Sequence, residues 1–360
     1  MNDATIHPSA PAFLEQLIHR AERARASDVH LHMNGKSAQV SLRLDGMMSQ
    51  PTPLPEPLAE RVFGRIKFLS KLKTYQESLP QDGRIDKSEV GAAGDIRVAT
   101  YPTVTGEKIV LRLFNGTEAP TIDELEFPAP VVAELNTFLR GTSGLLLLTC
   151  PAGSGKTTTI YACLRQLAAL GGRHVITVED PAEQIVPGIM QTEVCEARGL
   201  TFAKAARHLL RQDPQVLVIG EVRDDETAGL VVRAALTGHL VISTLHAGSC
   251  RGVLERLQMM CPDAYAVTSS VELILNQRLL RRVCRHCRGA DAVASPTPSE
   301  IAPCEVCFGT GYHGRVPALE WLRPKAPGDQ ATGPSLADAA RALVAAGISD
   351  AAEFERLFSR

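Results

Sequence analysis

Between a run of four leucines, Leu145–Leu148, and a helical pattern stands the segment Cys150-Pro-Ala-Gly-Ser-Gly-Lys-Thr157. An apolar run this short reads as a strand, 144–149, buried on both faces. Residues 157–170 repeat at helical spacing, and Gly171-Gly172 suits the C-cap. A strand, a glycine-rich turn and a helix in that order commit the chain to a parallel sheet with crossover helices. Gly153 and Gly155 let backbone N–H groups turn inward onto phosphate oxygens, and the helix start adds partial positive charge. Lys156 would reach the β/γ-phosphates of ATP, and the Thr157 hydroxyl would ligate Mg²⁺. The expected nucleotide-binding segment is Pro151, Ala152, Gly153, Ser154, Gly155, Lys156, Thr157 and Thr158. The strict pattern G-x-x-x-x-G-K-[ST] is not met at its first position, which is Cys150.

The same block continues with short β runs at 175–178, 216–219 and 240–244, and with helices at 201–212 and 224–237. In open parallel sheets ligands sit at the carboxyl ends of strands. Three of these strands end there in polar residues: Glu179-Asp180, Gly220-Glu221 and Leu245-His246. Phosphoryl transfer needs a metal ligand and a group that orients the attacking water. Glu221 suits the first task, as a Mg²⁺ ligand beside Thr157, and Glu179 suits the second.

Composition narrows the alternatives. Hydrophobic residues make up 44% of 360, enough for a core and incompatible with a disordered chain. Net charge is −2 and aromatics are 4%, which argues against direct nucleic-acid binding. No apolar run approaches the ~18 residues that span a bilayer, and no secretory signal is visible. Nine cysteines, four of them in C-x-x-C pairs, point to a reducing compartment, the cytoplasm.

Upstream, residues 1–12 read as a flexible lead-in. Residues 13–115 read as a small α+β domain. It has a helix from Phe13, alternation through Val40, Leu42 and Leu44 to the Asp45-Gly46 turn, a helical stretch over 58–73, and strands at 95–100 and 108–114. The Pro-rich, acidic stretch 116–130 is the linker. Residues 131–275 form the ATPase core, 276–320 a cysteine subdomain with a surface loop at 291–303, and 321–360 a small helical C-terminal region.

Cys284-x-x-Cys287 and Cys304-x-x-Cys307 are separated by sixteen residues, the pattern of a tetrahedral Zn(Cys)₄ site. All four positions would be filled by protein, so the zinc would be structural. Arg278, Arg281, Arg282, Arg285 and Arg288 cluster beside the first knuckle. They form either a solvated face or a docking surface for an acidic partner loop or an anionic membrane.

The ordered motifs Gly153-Ser-Gly-Lys-Thr-Thr-Thr-Ile-Tyr-Ala162, Val178-Glu-Asp-Pro-Ala-Glu183, Leu210-Arg-Gln-Asp-Pro-Gln-Val-Leu-Val-Ile-Gly-Glu-Val-Arg-Asp224 and Thr237-Gly-His-Leu-Val-Ile-Ser-Thr-Leu-His246 resemble the secretion ATPases. The nearest branch is the type II secretion and type IV pilus assembly ATPases. Ser27-Asp-Val-His30, Arg43-Leu-Asp-Gly46, Pro80-Gln-Asp-Gly-Arg84, Asp95-Ile-Arg97 and Pro102-Thr-Val-Thr-Gly-Glu107 look like that family's sensor-like, PAS-like N-terminal domain. Gln277-Arg-Leu279, the knuckles and Gly309-Thr-Gly-Tyr-His-Gly-Arg315 look like its tetracysteine region. The likeness covers roughly residues 13–325.

The resemblance implies an α/β fold with a RecA-like P-loop ATPase domain. Glu179, Asp180 and Glu183 fall in the family's Asp box, with Glu179 polarising water. Glu221 falls in its Walker B motif, and His239 and His246 in its His box. Arg97 and Arg112 match N-domain arginines that approach the γ-phosphate. The resemblance further implies a homo-hexamer at the inner face of the cytoplasmic membrane, reaching the membrane only through an inner-membrane platform protein. ATP hydrolysis there would power secretion or pilus assembly. The tetracysteine region favours export or assembly over retraction, and the short start implies that the family's extra N-terminal domain is missing. The other reading is a nucleotide-binding scaffold or regulatory ring subunit with little turnover.

Overall fold

The computed structural model describes residues 9–114, 119–149, 153–287, 304–324 and 331–359. The chain divides into two compact units, Met1–Thr117 with Val283–Gly314, and Glu118–Arg282 with Arg315–Arg360.

The first unit is built on an antiparallel sheet. Its strands are β1 (Asp28–Asn34), β2 (Ser37–Leu44), β3 (Met47–Met48), β4 (Thr52–Leu54), β5 (Gln81–Ile85), β6 (Ile96–Thr103) and β7 (Gly106–Leu113). Their order is β3-β2-β1-β7-β6-β5, with β4 on β2. Alternation does the sorting. Ile109, Leu111 and Leu113 are buried while Arg112 points outward. The buried face packs on α1 (Ala10–Arg23) and α2 (Leu58–Leu69) in a single core. Helix α1 starts inside the expected lead-in. Ser9 accepts a hydrogen bond from Ala12 N, and Pro11 sits in the first turn, where its missing N–H costs nothing. Glu107, which closes the Pro102–Glu107 motif, is buried with its carboxylate 2.8 Å from Lys67 Nζ, and so ties α2 to the β6–β7 hairpin.

The second unit carries the parallel sheet. Its strands are β8 (Gly144–Thr149), β9 (Val175–Glu179), β10 (Met190–Glu193), β11 (Val216–Ile219), β12 (Leu240–Thr244), β13 (Val271–Val283), β14 (Tyr312–Arg323) and β15 (Ala331–Thr332). The order is β10-β9-β11-β12-β8-β13-β14-β15, parallel from β10 through β13. Successive residues of β8 feed opposite cores. Leu145 and Leu147 join the side covered by α5 (Phe202–Leu209), α6 (Asp225–Leu236), α7 (Cys250–Met260) and α8 (Ala264–Ser270). Leu146 and Leu148 join the side of α3 (Ala129–Arg140) and α4 (Lys156–Leu170). Burial on both faces is why these strands show apolar runs without alternation. The helices at Leu336–Ala345 and Ala351–Phe358 share a small core with Leu280, Val316 and Ala318. No helix among the described residues is long and apolar enough to cross a membrane.

Candidate functional site

Cys150, Pro151 and Ala152 lie outside the described residues. From Gly153 onward the turn has the predicted form. Gly153 and Gly155 take φ of 77° and 91°, left-handed values that a side chain would strain, and Gly155 caps α4. Lys156 and Thr157 are half-buried in its first turn, Ser154 is buried and Thr158 is exposed.

Three neighbouring strands deliver their polar ends to the same edge. Lys156 Nζ lies 3.4 Å from His246 Nδ1. His246 Nε2 lies 3.1 Å from Glu221 Oε1, and Arg223 Nε donates to Glu221 Oε2 at 2.8 Å. Arg223 also reaches Asp180 at 3.3 Å and stacks over Phe202 at 5.4 Å. The Lys156 ammonium can only donate, so Nδ1 is the accepting nitrogen while Nε2 faces the carboxylate. Lys156, His246, Glu221, Arg223 and Asp180 thus form one connected polar chain.

Glu179 is held differently. It is buried and held by three donors: Tyr161 Oη donates to Oε2 at 2.5 Å, Thr177 Oγ1 to Oε1 at 2.5 Å, and Gln191 Nε2 to Oε1 at 2.9 Å. Tyr161 Oη in turn accepts from Glu183 N and Gln184 N, and Gln191 holds Gln184 O and Val186 N. The loop after β9 is therefore built around the Glu179 carboxylate. Burial, together with the neighbouring Glu179, pushes the Tyr161 phenol above its ordinary value, so it stays a donor. Replacing Tyr161 by phenylalanine leaves a buried carboxylate oxygen and two amides short of a partner. We expect a loss of about 1–3 kcal/mol of stability, read by denaturant unfolding. No change there means that the network is not what holds the loop. Tyr161, Thr177 and Gln191 were missed from sequence. Tyr161 sat inside a quoted motif, but its partner is in another element.

His239 stands at the amino end of β12, opposite to His246. Its Nδ1 lies 3.0 Å from Ala234 O, a local bond that closes the end of α6. In the first unit Arg97 and Arg112 are register partners on β6 and β7. Like charges so placed repel. Arg112 is answered by Asp28, 3.0 Å away, and Arg97 lies over the Phe114 ring at 4.9 Å.

The four cysteines converge. All their sulfurs lie within 4.8 Å of one another, with Cys284–Cys304 at 4.0 Å and Cys287–Cys307 at 3.6 Å. A tetrahedron with Zn–S of ~2.3 Å needs sulfurs ~3.8 Å apart, so the donor set fits zinc. Backbone N–H bonds, first of all from Cys307, lower the Cys304 thiol to about 6, and burial raises Cys307 to about 12. Cys284 N bonds Gly311 O at 2.9 Å, which closes one knuckle on the other. The expected loop at 291–303 and Arg288 lie outside the described residues. Of the arginine cluster, Arg278 bonds Leu357 O, Arg281 pairs with Glu353 and Arg282 with Glu126. These three are engaged within their own unit, so they form neither a solvated face nor a free docking surface.

The family model for "Type II/IV secretion system protein" matches residues 4–338. The chain belongs to the type II/IV secretion system protein family. Among its relatives is a type IV pilus assembly ATPase PilB of Thermus thermophilus. That protein is 37% identical over an alignment of 333 residues that covers 87% of this chain and 37% of the relative. Type II secretion system protein E of Klebsiella pneumoniae is 38% identical over 323 residues, 86% of this chain and 64% of the relative. The secretion family member described here thus spans between about a third and two thirds of those relatives' length. Its fold is that of the Legionella pneumophila ATPase DotB, with a TM-score of 0.73 at 19% identity over 100% of this chain and 98% of that one. The pilus retraction motor PilT with bound ADP aligns with a TM-score of 0.61 at 27% identity, covering 87% of this chain and 83% of PilT.

Proposed function

We propose that this family member is a Mg²⁺-dependent ATPase, the motor subunit of a type II secretion or type IV pilus assembly machine. The observation that carries the reading is the meeting of Lys156, His246 and Glu221 beside the glycine turn, at the carboxyl ends of β8, β11 and β12. Membership beside relatives named as pilus assembly and type II secretion proteins supports the machine class.

In this reading Gly153–Thr158 cradle the phosphates and Lys156 neutralises them. A hydroxyl and a carboxylate are hard oxygen ligands, so Thr157 and Glu221 suit Mg²⁺. The metal would supply charge neutralisation on the phosphate oxygens. With phosphate bound, Lys156 would turn from His246, leaving the imidazole to hold Glu221. Glu179 would polarise water through Oε2, which accepts only from Tyr161 and keeps one lone pair open. Arg97 and Arg112, on the sensor-like N-terminal domain, would complete a site in a homo-hexameric ring, and the ring would act on an inner-membrane platform protein from the cytoplasmic side. Zinc in the four-cysteine site would be structural. The domains would run over 13–115, 131–275, 276–320 and 321–360, with 116–130 as the linker.

Mg-ATP hydrolysis by the purified chain, beside Glu221→Gln, tests it. The variant should lose roughly 100-fold in turnover while still binding nucleotide. Equal activity in both proteins would remove Glu221 from the mechanism. A wild type that binds no ATP would end the motor reading.

A further inference from the structure

We infer that Gln277 is a positioning residue of the phosphate loop; the inference rests on the nucleotide reading above. Gln277 lies on β13, the strand parallel to β8, and is 5% exposed. Both ends of its amide are used. Nε2 donates to Ser154 O at 2.7 Å, and Oε1 accepts from Thr159 Oγ1 at 3.0 Å. Thr159 closes the ring, because its N–H bonds Gly155 O at 3.0 Å and its hydroxyl lies 3.2 Å from the same oxygen. A Cβ on Gly155 would stand 2.5 Å from Gln277 Nε2. The glycine therefore answers two demands, a left-handed turn and room for this amide.

The consequence follows from the planarity of the peptide bond. The Ser154 carbonyl and the Gly155 N–H belong to one rigid, trans peptide unit and point in opposite directions. Pinning that carbonyl with Gln277 fixes the direction of that N–H. A phosphate cradle depends on its N–H groups being aimed before the ligand arrives. Both ends of the Gln277 amide are spent on Ser154 and Thr159. It acts through the Ser154–Gly155 peptide.

The glutamate isostere makes the inference testable. In Gln277→Glu a protonated carboxyl can still donate to Ser154 O and accept from Thr159. The ionised form has no donor and sets negative charge against the carbonyl oxygen. Burial raises the carboxyl's pKa into an accessible range. Mg-ADP affinity of the full-length chain is measured at pH 6 and pH 8, each as a ratio to wild type. We expect the variant to bind roughly tenfold or more weakly at pH 8 and within about threefold at pH 6. Gln277→Met, which has no donor at any pH, should be weak at both, and melting temperatures show whether each variant is folded. A Gln277→Glu ratio near one at both pH values, or an equal loss at both, overturns the inference. So does a melting temperature that moves with pH while affinity does not. Failure of the wild type to bind Mg-ADP overturns the nucleotide reading, and this inference with it.

Discussion

With Glu353 replaced by alanine, the two C-terminal helices should come away from the strand that they cover, at a cost of about 3–5 kcal/mol. Glu353 has no exposed surface and takes two arginines. Arg281 donates through Nε at 2.9 Å and through its backbone N at 3.0 Å, and Arg356 through Nε at 2.7 Å and Nη2 at 2.6 Å. Ser349 Oγ adds a bond to Arg281 O. Removing the carboxylate leaves two guanidinium groups facing each other in a space built for three charges. The apolar contact with Leu280, Val316 and Ala318 is small and does not offset that. Limited proteolysis within 331–359 reads the release. Protection equal to wild type would show that apolar packing alone holds the helices. The same contact gives a pH dependence with a definite sign. Burial works against the charged Glu353, but hydrogen bonds from Arg356 and Arg281 outweigh it, and its carboxyl sits below the ordinary value. A depressed carboxyl pKa stabilises the fold above the unfolded value of about 4.3. The contribution fades as pH falls through the folded value. The helices should therefore loosen in acid, below about pH 4, and Glu353→Gln should lack that transition.

The second large effect concerns the cysteines. Substituting Cys284 and Cys304 together by serine should abolish bound zinc, one ion per chain by elemental analysis. Structural zinc is worth on the order of 10 kcal/mol in small zinc-dependent domains. Cys284 is fully buried and its backbone N–H fixes Gly311, so the loss should unfold the segment around both knuckles. Hydrogen exchange over 283–314 reads that directly. A metal content unchanged by the double substitution would sink the zinc assignment.

Much of the candidate site's arrangement was legible because its signals are local. A glycine turn after a leucine run, and polar residues just past β9, β11 and β12, lie within a few residues of the feature that interprets them. The missing parts are those whose partner is distant. Gln277 meets Ser154 across 123 residues, and Tyr161 meets Glu179 across 18. Neither pairing leaves a pattern in the chain. Several strands were also missed, β13 and β1 among them. β13 carries a buried run, Leu273–Gln277, and ends in arginines of which Arg278 and Arg281 bind the C-terminal helices, so its periodicity breaks midway. β1 carries His30 and His32 on its outward side, which hides the alternation of Val29 and Leu31. Three arginines of the cluster show the converse case. The charge of Arg278, Arg281 and Arg282 was plain in sequence, while the carboxylate and carbonyl partners that absorb it lie at Leu357, Glu353 and Glu126; Arg285 is exposed.

Because every parallel strand presents its carboxyl end to the same edge, the other edge is spare. Leu170 closes α4 there at 43% exposure, and the Gly171-Gly172 turn that follows has open space around it. A dye attached through a cysteine at position 170 would ride on the far end of the helix whose first turn holds Lys156. Any tilt of that helix on nucleotide binding would then reach the probe, while the probe itself stays some 20 Å from the phosphates, given ~1.5 Å per helical residue.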